Sequence, residues 1–184
     1  MEKNVKINLN GKTISANTSN VDETAYAFKI EDGCSLTING NGVVNGGSGC
    51  YNNIAVWTKE NCKLVINDGK FIVGRDKDGE ANSVIYIHNN GASVEINGGE
   101  FQGPVSLTHH NGHYYLVNIN NNVTDADIKI KGGIFYGWNP EAGDDEIPES
   151  LMPLIAEGFE SYIIDENGTD MEGRSCIIYG VRRK

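Results

Sequence analysis

Two stretches, CKLVINDGKF at residues 62–71 and ASVEINGGEF at residues 92–101, decide the fold of this 184-residue chain. Each places apolar or small residues at alternating positions, then turn residues and then a phenylalanine, as a strand with one buried face requires. Three further segments align with them without gaps, at residues 5–14, 34–43 and 126–135. The five segments start 29, 28, 30 and 34 residues apart. This spacing predicts a repeated structural unit.

The aligned segments share four apolar columns and one polar column. The apolar columns are Val5, Cys34, Cys62, Ala92, Ala126; Ile7, Leu36, Leu64, Val94, Ile128; Leu9, Ile38, Ile66, Ile96, Ile130; and Ile14, Val43, Phe71, Phe101, Phe135. The polar column is Asn10, Asn39, Asn67 and Asn97, whose stacked amides are expected to form a hydrogen-bonded ladder. A second β-rich run precedes the later units at residues 25–30, 53–58, 83–88 and 114–119. The repeat predicts an all-β parallel β-helix of about five rungs over residues 1–137.

The composition agrees with a coil of short strands joined by tight turns. The chain has 23 glycines and 23 asparagines, the residues that best tolerate left-handed backbone, and only 4 prolines. The net charge is −10, which disfavours nucleic-acid binding because phosphate contacts need clustered Lys and Arg. The basic residues 182–184 are interpreted as solvated. No apolar run reaches the roughly 18 residues of a membrane span, and the first residues resemble no secretory signal.

Residues 138–184 are predicted to close the coil. An acidic, proline-containing segment at 139–153, predicted to be a loop or a short helix, interrupts the repeat, and two short apolar strands follow at 162–164 and 176–181. A solenoid must cover its open end, so this segment is interpreted as a β cap or as a segment that pairs with another copy of the chain.

Residues 5–137 resemble the right-handed parallel β-helix proteins, a group that includes pectate lyases and many phage fibre and tailspike domains. The stretches GGIFYGWNP (132–140) and IAEGFESYIIDENGT (155–169) resemble the closing segment of short β-helix proteins encoded by phages of gut bacteria. The first resemblance implies the fold. The second implies a structural virion protein.

Enzymatic activity is not expected from the outward residues. Polysaccharide lyases and glycoside hydrolases need several carboxylates that converge on one face. The outward columns show no two neighbouring carboxylates: Lys6, Ser35, Lys63, Ser93, Asp127; and Asn8, Thr37, Val65, Glu95, Lys129. Asp76 and Asp127 are the carboxylates whose replacement would test a glycan-cleaving alternative.

Two segments are candidate metal sites, although no cofactor is predicted. His109, His110 and His113 have a spacing at which imidazoles can bind a transition metal, and a polar loop at a corner of the coil explains them equally. Asp76, Asp78 and Glu80 match the start of a calcium loop. The bidentate glutamate that should end the loop is replaced by Ile87, so an acidic surface turn is favoured.

The remaining residues with a candidate role are cysteines and aromatic residues. Cys34 and Cys62 share one interior column, where thiols are expected to pack and not to form a disulfide. Tyr136, Trp138, Tyr162 and Tyr179 are predicted to form an interface. The patch around Tyr136 and Trp138 suits sugar stacking or a subunit contact, and the subunit contact is favoured.

The sequence therefore predicts a non-enzymatic structural protein of a bacteriophage particle, in a head fibre, a capsid decoration or a tail fibre. It is expected to be made in the host cytoplasm without a signal peptide and to reside in the virion. Its expected partners are copies of itself, in a trimer or a dimer, and other virion proteins, without nucleic acid or membrane. The alternative is a protein that binds or cleaves host-surface polysaccharide.

Overall fold

The computed structural model describes residues 3–16, 23–74, 82–104, 115–144 and 147–184. In this part of the chain the regular elements are β-strands, apart from one 3-10 turn at Glu149–Leu151. No helix among these residues is long and apolar enough to cross a membrane. The prediction of an all-β fold is confirmed.

The strands are short until the C-terminus is reached. In chain order they are β1 (Asn4–Asn8), β2 (Thr13–Ser15), β3 (Thr24–Ile30), β4 (Ser35–Asn39), β5 (Val43–Asn45), β6 (Asn52–Thr58), β7 (Lys63–Ile66), β8 (Lys70–Ile72), β9 (Ser83–Ile87), β10 (Ala92–Ile96), β11 (Glu100–Gln102), β12 (Val117–Ile119), β13 (Ala126–Ile130), β14 (Gly133–Tyr136), β15 (Phe159–Thr169) and β16 (Ser175–Arg183).

Strands β1 to β14 stack into three parallel sheets, and each turn of the chain adds one strand to each sheet. The orders are β1-β4-β7-β10-β13, β2-β5-β8-β11-β14 and β3-β6-β9-β12. The predicted parallel β-helix is thus confirmed as a parallel β-solenoid, with about four turns against the five expected. The fifth turn has strands in the first two sheets but none in the third within the described residues. In the second sheet, antiparallel β16 follows β14.

The first turn is displaced from the predicted alignment by two residues. Ile7 lies opposite Ile38, whereas the gap-free alignment placed it opposite Leu36. Val5 takes the position opposite Leu36 and is 46% exposed at the open end of the coil. Leu9, the predicted counterpart of Ile38, lies beyond the end of β1 and is still buried.

In the second sheet, the strand of the second turn is displaced by one residue from the predicted alignment. Val44, and not the predicted Val43, lies opposite Phe71 and is fully buried. Ile14 in turn lies opposite Val44. The buried column of the first sheet and that of the second sheet are therefore a different number of residues apart in each turn. The separation is seven residues in the first turn (Ile7 to Ile14), six in the second (Ile38 to Val44) and five in the third (Ile66 to Phe71). Extra turn residues therefore explain both displacements, since they change the register without changing the apolar pattern.

The interior is built from residues of one kind stacked on one another. The third predicted column is fully buried from the second turn onward, at Ile38, Ile66, Ile96 and Ile130. Phe101 is stacked between Phe71 and Phe135, with ring centroids 5.1 and 5.2 Å apart. Cys62 packs into the same core and Cys34 is half-buried beside it. The two thiols do not form a disulfide. Burial raises the pKa of the Cys62 thiol.

The predicted asparagine ladder forms over three turns. The Asn67 amide donates to Asn39 Oδ1 over 2.7 Å, and the Asn97 amide donates to Asn67 Oδ1 over 2.8 Å. The predicted first member, Asn10, is not part of it: Asn8 lies opposite Asn39, and Asn10 occupies the turn with a φ of 50°. The error follows from the displaced register of the first turn.

Candidate functional site

The predicted metal residues His109, His110 and His113 and the predicted acidic turn of Asp76, Asp78 and Glu80 lie outside the described residues. Within the described ranges, no three His, Cys, Asp or Glu side chains are grouped closely enough to hold a metal ion.

The carboxylates on the outer face of the first sheet are held in ion pairs. Lys129 Nζ lies 2.8 Å from Asp127 Oδ2, and this contact raises the pKa of the lysine. Lys131 Nζ lies 3.2 Å from Glu95 Oε1. A hydrogen bond from Asn97, followed by Lys131, lowers the pKa of Glu95. Glu95 therefore stays ionised near neutral pH and is poorly suited to act as a general acid.

Tyr136 joins the fourth and fifth turns on the outer face of the second sheet. Its hydroxyl donates to Glu100 Oε2 over 3.1 Å, and Lys70 Nζ lies 3.0 Å from the same oxygen. Burial, followed by the charge of Glu100, raises the pKa of Tyr136 to about 12. This tyrosine is half-buried and acts as a bridge between turns in the single chain.

Trp138, one of the four predicted interface residues, is not at the surface. Its side chain is 2% exposed and packs against Phe135, with ring centroids 5.7 Å apart. Its Nε1 donates to Asp144 Oδ2 over 2.9 Å. The segment that follows Trp138 supplies Ile147 and Leu154 to the same buried core. Trp138 thus belongs to the closure of the coil, which a local pattern of aromatic residues does not reveal.

Tyr162 and Tyr179, two other predicted interface residues, lie in the terminal hairpin formed by β15 and β16. This antiparallel hairpin extends the second sheet beyond the last turn, in the order β15-β16-β14. Tyr179 lies opposite Phe135 and packs against the core. Tyr162 lies opposite Gly180, where a Cβ would approach the tyrosine ring to 2.7 Å, so glycine is needed for this contact.

A charged group covers Tyr162 on the outer face of the terminal hairpin. The Arg182 guanidinium lies 4.4 Å from the centre of the Tyr162 ring. Arg182 Nε also donates to Glu160 Oε1 over 2.9 Å. The three residues form an ordered polar surface on an edge of the sheet.

The tip of the terminal hairpin is anchored to the coil. Met171 N donates to Gln102 Oε1 over 2.5 Å, and Gln102 is fully buried. The Asp170 carboxylate accepts hydrogen bonds from the backbone N–H groups of Glu172 and Arg174, and Arg174 Nε lies 2.6 Å from Asp170 Oδ2. The hairpin therefore has a fixed orientation, although among the described residues its outer strand pairs on one side only.

Three of the exposed apolar side chains of the described residues lie on the terminal hairpin. Ile163 and Ile164 of β15 are 47% and 44% exposed, and Ile177 of β16 is 37% exposed. Single exposed apolar residues are ordinary, but neighbouring ones on a strand edge are typical of an interaction surface.

A second candidate site, which the sequence reasoning missed, lies on the third sheet. We call it the aromatic surface and define it as Tyr26, Trp57, Tyr86 and His88. The Trp57 ring lies 5.8 Å from Tyr26, 5.8 Å from Tyr86 and 5.3 Å from His88 between centroids. The buried part of this group forms a cluster separate from the main core. Tyr26 is 40% exposed, so the surface is open to solvent on that side.

Charged and amide groups border the aromatic surface. Lys29 Nζ lies 5.4 Å from the centre of the Trp57 ring and 3.3 Å from Glu31 Oε1. Lys59 Nζ lies 3.1 Å from Glu31 Oε2, and Lys59, followed by Lys29, lowers the pKa of Glu31. The Asn120 amide donates to the Tyr86 hydroxyl over 3.0 Å. Rings bordered by hydrogen-bonding groups suit a polar ligand that has an apolar face.

A sequence signal for the aromatic surface was present but incomplete. Trp57 lies opposite Tyr86 in the parallel ladder, so the runs at 53–58 and 83–88 do contain the pair. Lys29, and not Tyr26, lies opposite Trp57, and the ring of Tyr26 reaches it from a different position. The aromatic column can therefore be recognised in the sequence over two turns only.

Comparison of the chain with protein-family models, with curated proteins and with solved structures finds no match in any of the three. The architecture and the two surfaces are thus the observations on which a function is inferred.

Proposed function

We propose that this chain is a non-enzymatic structural protein of a bacteriophage particle, a component of a head fibre, a capsid decoration or a tail fibre, that assembles as an oligomer. The observation that carries the proposal is the terminal hairpin. It continues the second sheet past the end of the coil and places an 11-residue strand, β15, at the sheet edge. Such an edge presents unpaired backbone groups to another chain.

The outer faces support a structural role over a catalytic one. Glu31, Glu95 and Asp127 each contact a lysine, and the pKa values of Glu31 and Glu95 are lowered. A general acid that works near neutral pH needs the opposite shift. This favours a stable scaffold over a polysaccharide lyase or a glycoside hydrolase.

The placement of the phage-like segments also supports the proposal. The stretches at 132–140 and 155–169, which resemble the ending of short β-helix proteins from phages of gut bacteria, contain β14 and β15. The resemblance therefore falls on the part of the molecule that is suited to assembly.

Purified phage particles from a host that carries the gene test this proposal. Mass spectrometry is expected to find the chain in the particles, and immunogold electron microscopy is expected to place it at regular positions on the head or the tail. Particles that lack the chain would contradict the proposal.

The aromatic surface favours a second candidate function, the binding of host-surface polysaccharide. A Trp57→Ala variant loses the ring contacts to Tyr26 and Tyr86. Its affinity for the glycan is expected to fall about tenfold or more, because each contact between an aromatic ring and a ligand contributes energy comparable to a hydrogen bond. Tyr51→Ala is the matched control, since Tyr51 is 47% exposed and lies outside the aromatic surface.

Glycan arrays and calorimetry measure the affinity, and chromatography of the glycan after incubation measures cleavage. Equal losses in the two variants would contradict a site at the aromatic surface. Cleavage products would overturn the non-enzymatic assignment.

A further inference from the structure

Two segments at opposite ends of the solenoid carry opposite charges. Residues 3–16, which contain β1 and β2 and which we call the basic segment, include three lysines and no acidic residue. These are Lys3, Lys6 and Lys12, and all three are exposed. Strand β15, in the terminal hairpin, includes three acidic residues and no basic residue: Glu160, Asp165 and Glu166. A positively charged surface is thus present in a chain whose net charge is −10.

We propose that copies of the chain associate head to tail, with the outer edge of β15 in one copy against the basic segment of the next. The inference deepens the proposed function, on which it rests, because it identifies the partner as a second copy and names the two surfaces that meet. The contact joins two different surfaces, so a pair of copies still presents one of each at its ends. Association therefore continues along the axis of the solenoid into a filament.

The direction of β15 suits this contact. β14 and β15 each pair with β16 in the antiparallel sense, so β15 runs parallel to the solenoid strands of the second sheet. Within the described part of the chain, β2 has a neighbour on one side only, at the far end of the same sheet. The outer edge of β2 can therefore add to β15 of another copy in the parallel sense that already joins successive turns.

The lengths of the two strands are also compatible. β2 has three residues, whereas the pairing of β15 with β16 is regular over the five residues from Phe159 to Ile163. The irregularities of β15 begin after Ile163. β2 therefore needs only the regular half of β15.

The first turn leaves apolar side chains incompletely covered. Val5 is 46% exposed, and Ile7 and Ile14 are only partly buried. The residues opposite Ile7 and Ile14 in the second turn are fully buried: Ile38 and Val44. On the hairpin, Ile163 and Ile164 are 47% and 44% exposed. A head-to-tail contact covers apolar surface on both partners, which stabilises the association.

Charge selects the head-to-tail arrangement over the two alternatives between identical copies. Contact between two basic segments would bring lysines together, and contact between two β15 edges would bring carboxylates together. Both alternatives are disfavoured because like charges across an interface repel. Lys12 directly precedes β2, and Glu157 lies two residues before β15. Parallel pairing therefore places these two exposed and oppositely charged side chains at the same end of the paired strands.

Light scattering coupled to size-exclusion chromatography tests the association. The mass is expected to rise with protein concentration through multiples of the 20.0 kDa monomer and beyond two chains. Electron microscopy of the concentrated sample is expected to show unbranched filaments. A monomer at every concentration, or a dimer or trimer whose mass stays constant, would overturn the inference.

Charge reversal tests the basic segment. Lys12→Glu is expected to weaken association about tenfold or more, because it places a carboxylate against the acidic hairpin. Lys63→Glu is the matched control. Lys63 is also exposed but lies on β7, between β4 and β10, and its variant is expected to associate like the unmodified chain. Circular dichroism checks that both variants are folded, and equal association of the two would contradict the basic segment as the contact surface.

Mixing of two variants tests whether the two surfaces meet each other. Glu157→Lys alone is also expected to weaken association about tenfold or more, because it places a cation against the basic segment. An equimolar mixture of Lys12→Glu and Glu157→Lys is expected to restore association, because every contact between the two variants pairs unlike charges. A mixture that associates no better than its components would exclude a head-to-tail contact at these residues.

These outcomes are distinct from failure of the proposed function. A chain that is absent from phage particles would remove the function even if filaments formed in solution. A chain that is found in particles but stays monomeric in solution would remove the head-to-tail contact alone.

Discussion

The solenoid and the terminal hairpin both contribute strands to the second sheet, but these strands differ in how many neighbours cover them. In the solenoid part of this sheet, β5, β8 and β11 are each covered on both sides by parallel neighbours. In the hairpin β16 is covered by β14 and β15, while β15 has a neighbour on one side only within the described part of the chain. A repeat leaves its first and last members without a second neighbour of their own kind, so the two ends of the repeat are where contacts with other molecules are expected.

The two regions also differ in which side chains meet. Parallel stacking in register places a residue over another of the same kind, as in Asn67 over Asn39. Neutral amides and aromatic rings suit such columns, whereas like charges do not. The antiparallel hairpin brings unlike residues together, as in Glu160 and Arg182. Stacking of like residues thus stabilises the solenoid, whereas contacts between complementary residues make the pairing of the hairpin specific.

The largest expected effect is a loss of stability, and it distinguishes the solenoid from the terminal hairpin. Phe101→Ala is expected to lower the free energy of unfolding by about 3–5 kcal/mol, because it leaves a cavity between two stacked rings. Phe101 is fully buried between Phe71 and Phe135. Urea unfolding followed by circular dichroism measures the change.

Ile163→Ala is the comparison in the terminal hairpin. Because Ile163 is 47% exposed in the single chain, the expected change for the monomer is within about 0.5 kcal/mol. Measurement at a protein concentration low enough to keep the chain monomeric excludes the effect of self-association. A similar loss in both variants would contradict the contrast between a packed coil and an interaction edge.

A smaller effect is expected from the ladder of like residues. Asn67→Ala removes one hydrogen bond to Asn39 and one from Asn97, and it is expected to lower the free energy of unfolding by about 1 kcal/mol. Asn41→Ala, at an exposed turn position beside the ladder, is the matched control, with an expected change within about 0.5 kcal/mol. Urea unfolding again gives both values. Equal changes would mean that the ladder adds nothing beyond an ordinary surface asparagine.

The sequence predicted the solenoid because stacked positions repeat their residue types. Ile38, Ile66 and Ile96 lie in one buried column, as the alignment required. The alignment failed where turn length changed, since a gap-free comparison cannot detect the extra residues that moved Asn10 out of its column.

The candidate sites were less accessible to sequence reasoning. Trp138 is buried by residues later in the chain, and a local aromatic pattern carries no information on that contact. Trp57 and Tyr86 meet across a ladder whose register follows loops of unequal length. Tyr162 was recognised as a candidate, but its contacts with Arg182 and Gly180 depend on the antiparallel register of the hairpin.

The smallest expected effect lies at Tyr136, where the solenoid and the terminal hairpin meet. Tyr136 lies opposite Ile178 of the hairpin, and its hydroxyl donates to Glu100 in the preceding turn. Its pKa is raised from 10.0 to about 12 in the folded chain, so the unfolded chain loses this proton first as the pH rises. The resulting stability is fully present below pH 10 and is lost as the pH rises towards 12.

Tyr136→Phe is therefore expected to remove a phenolic step near pH 12 from an ultraviolet titration of the chain. It is also expected to make the stability less steeply dependent on pH above 10. Tyr51→Phe, which changes an exposed tyrosine, is the control and is expected to leave the step near pH 12 in place. If the late step persisted in Tyr136→Phe, the bridge from Tyr136 to Glu100 would not govern this titration. The junction would then be held by backbone pairing between β14 and β16, without a polar contribution from the preceding turn of the solenoid.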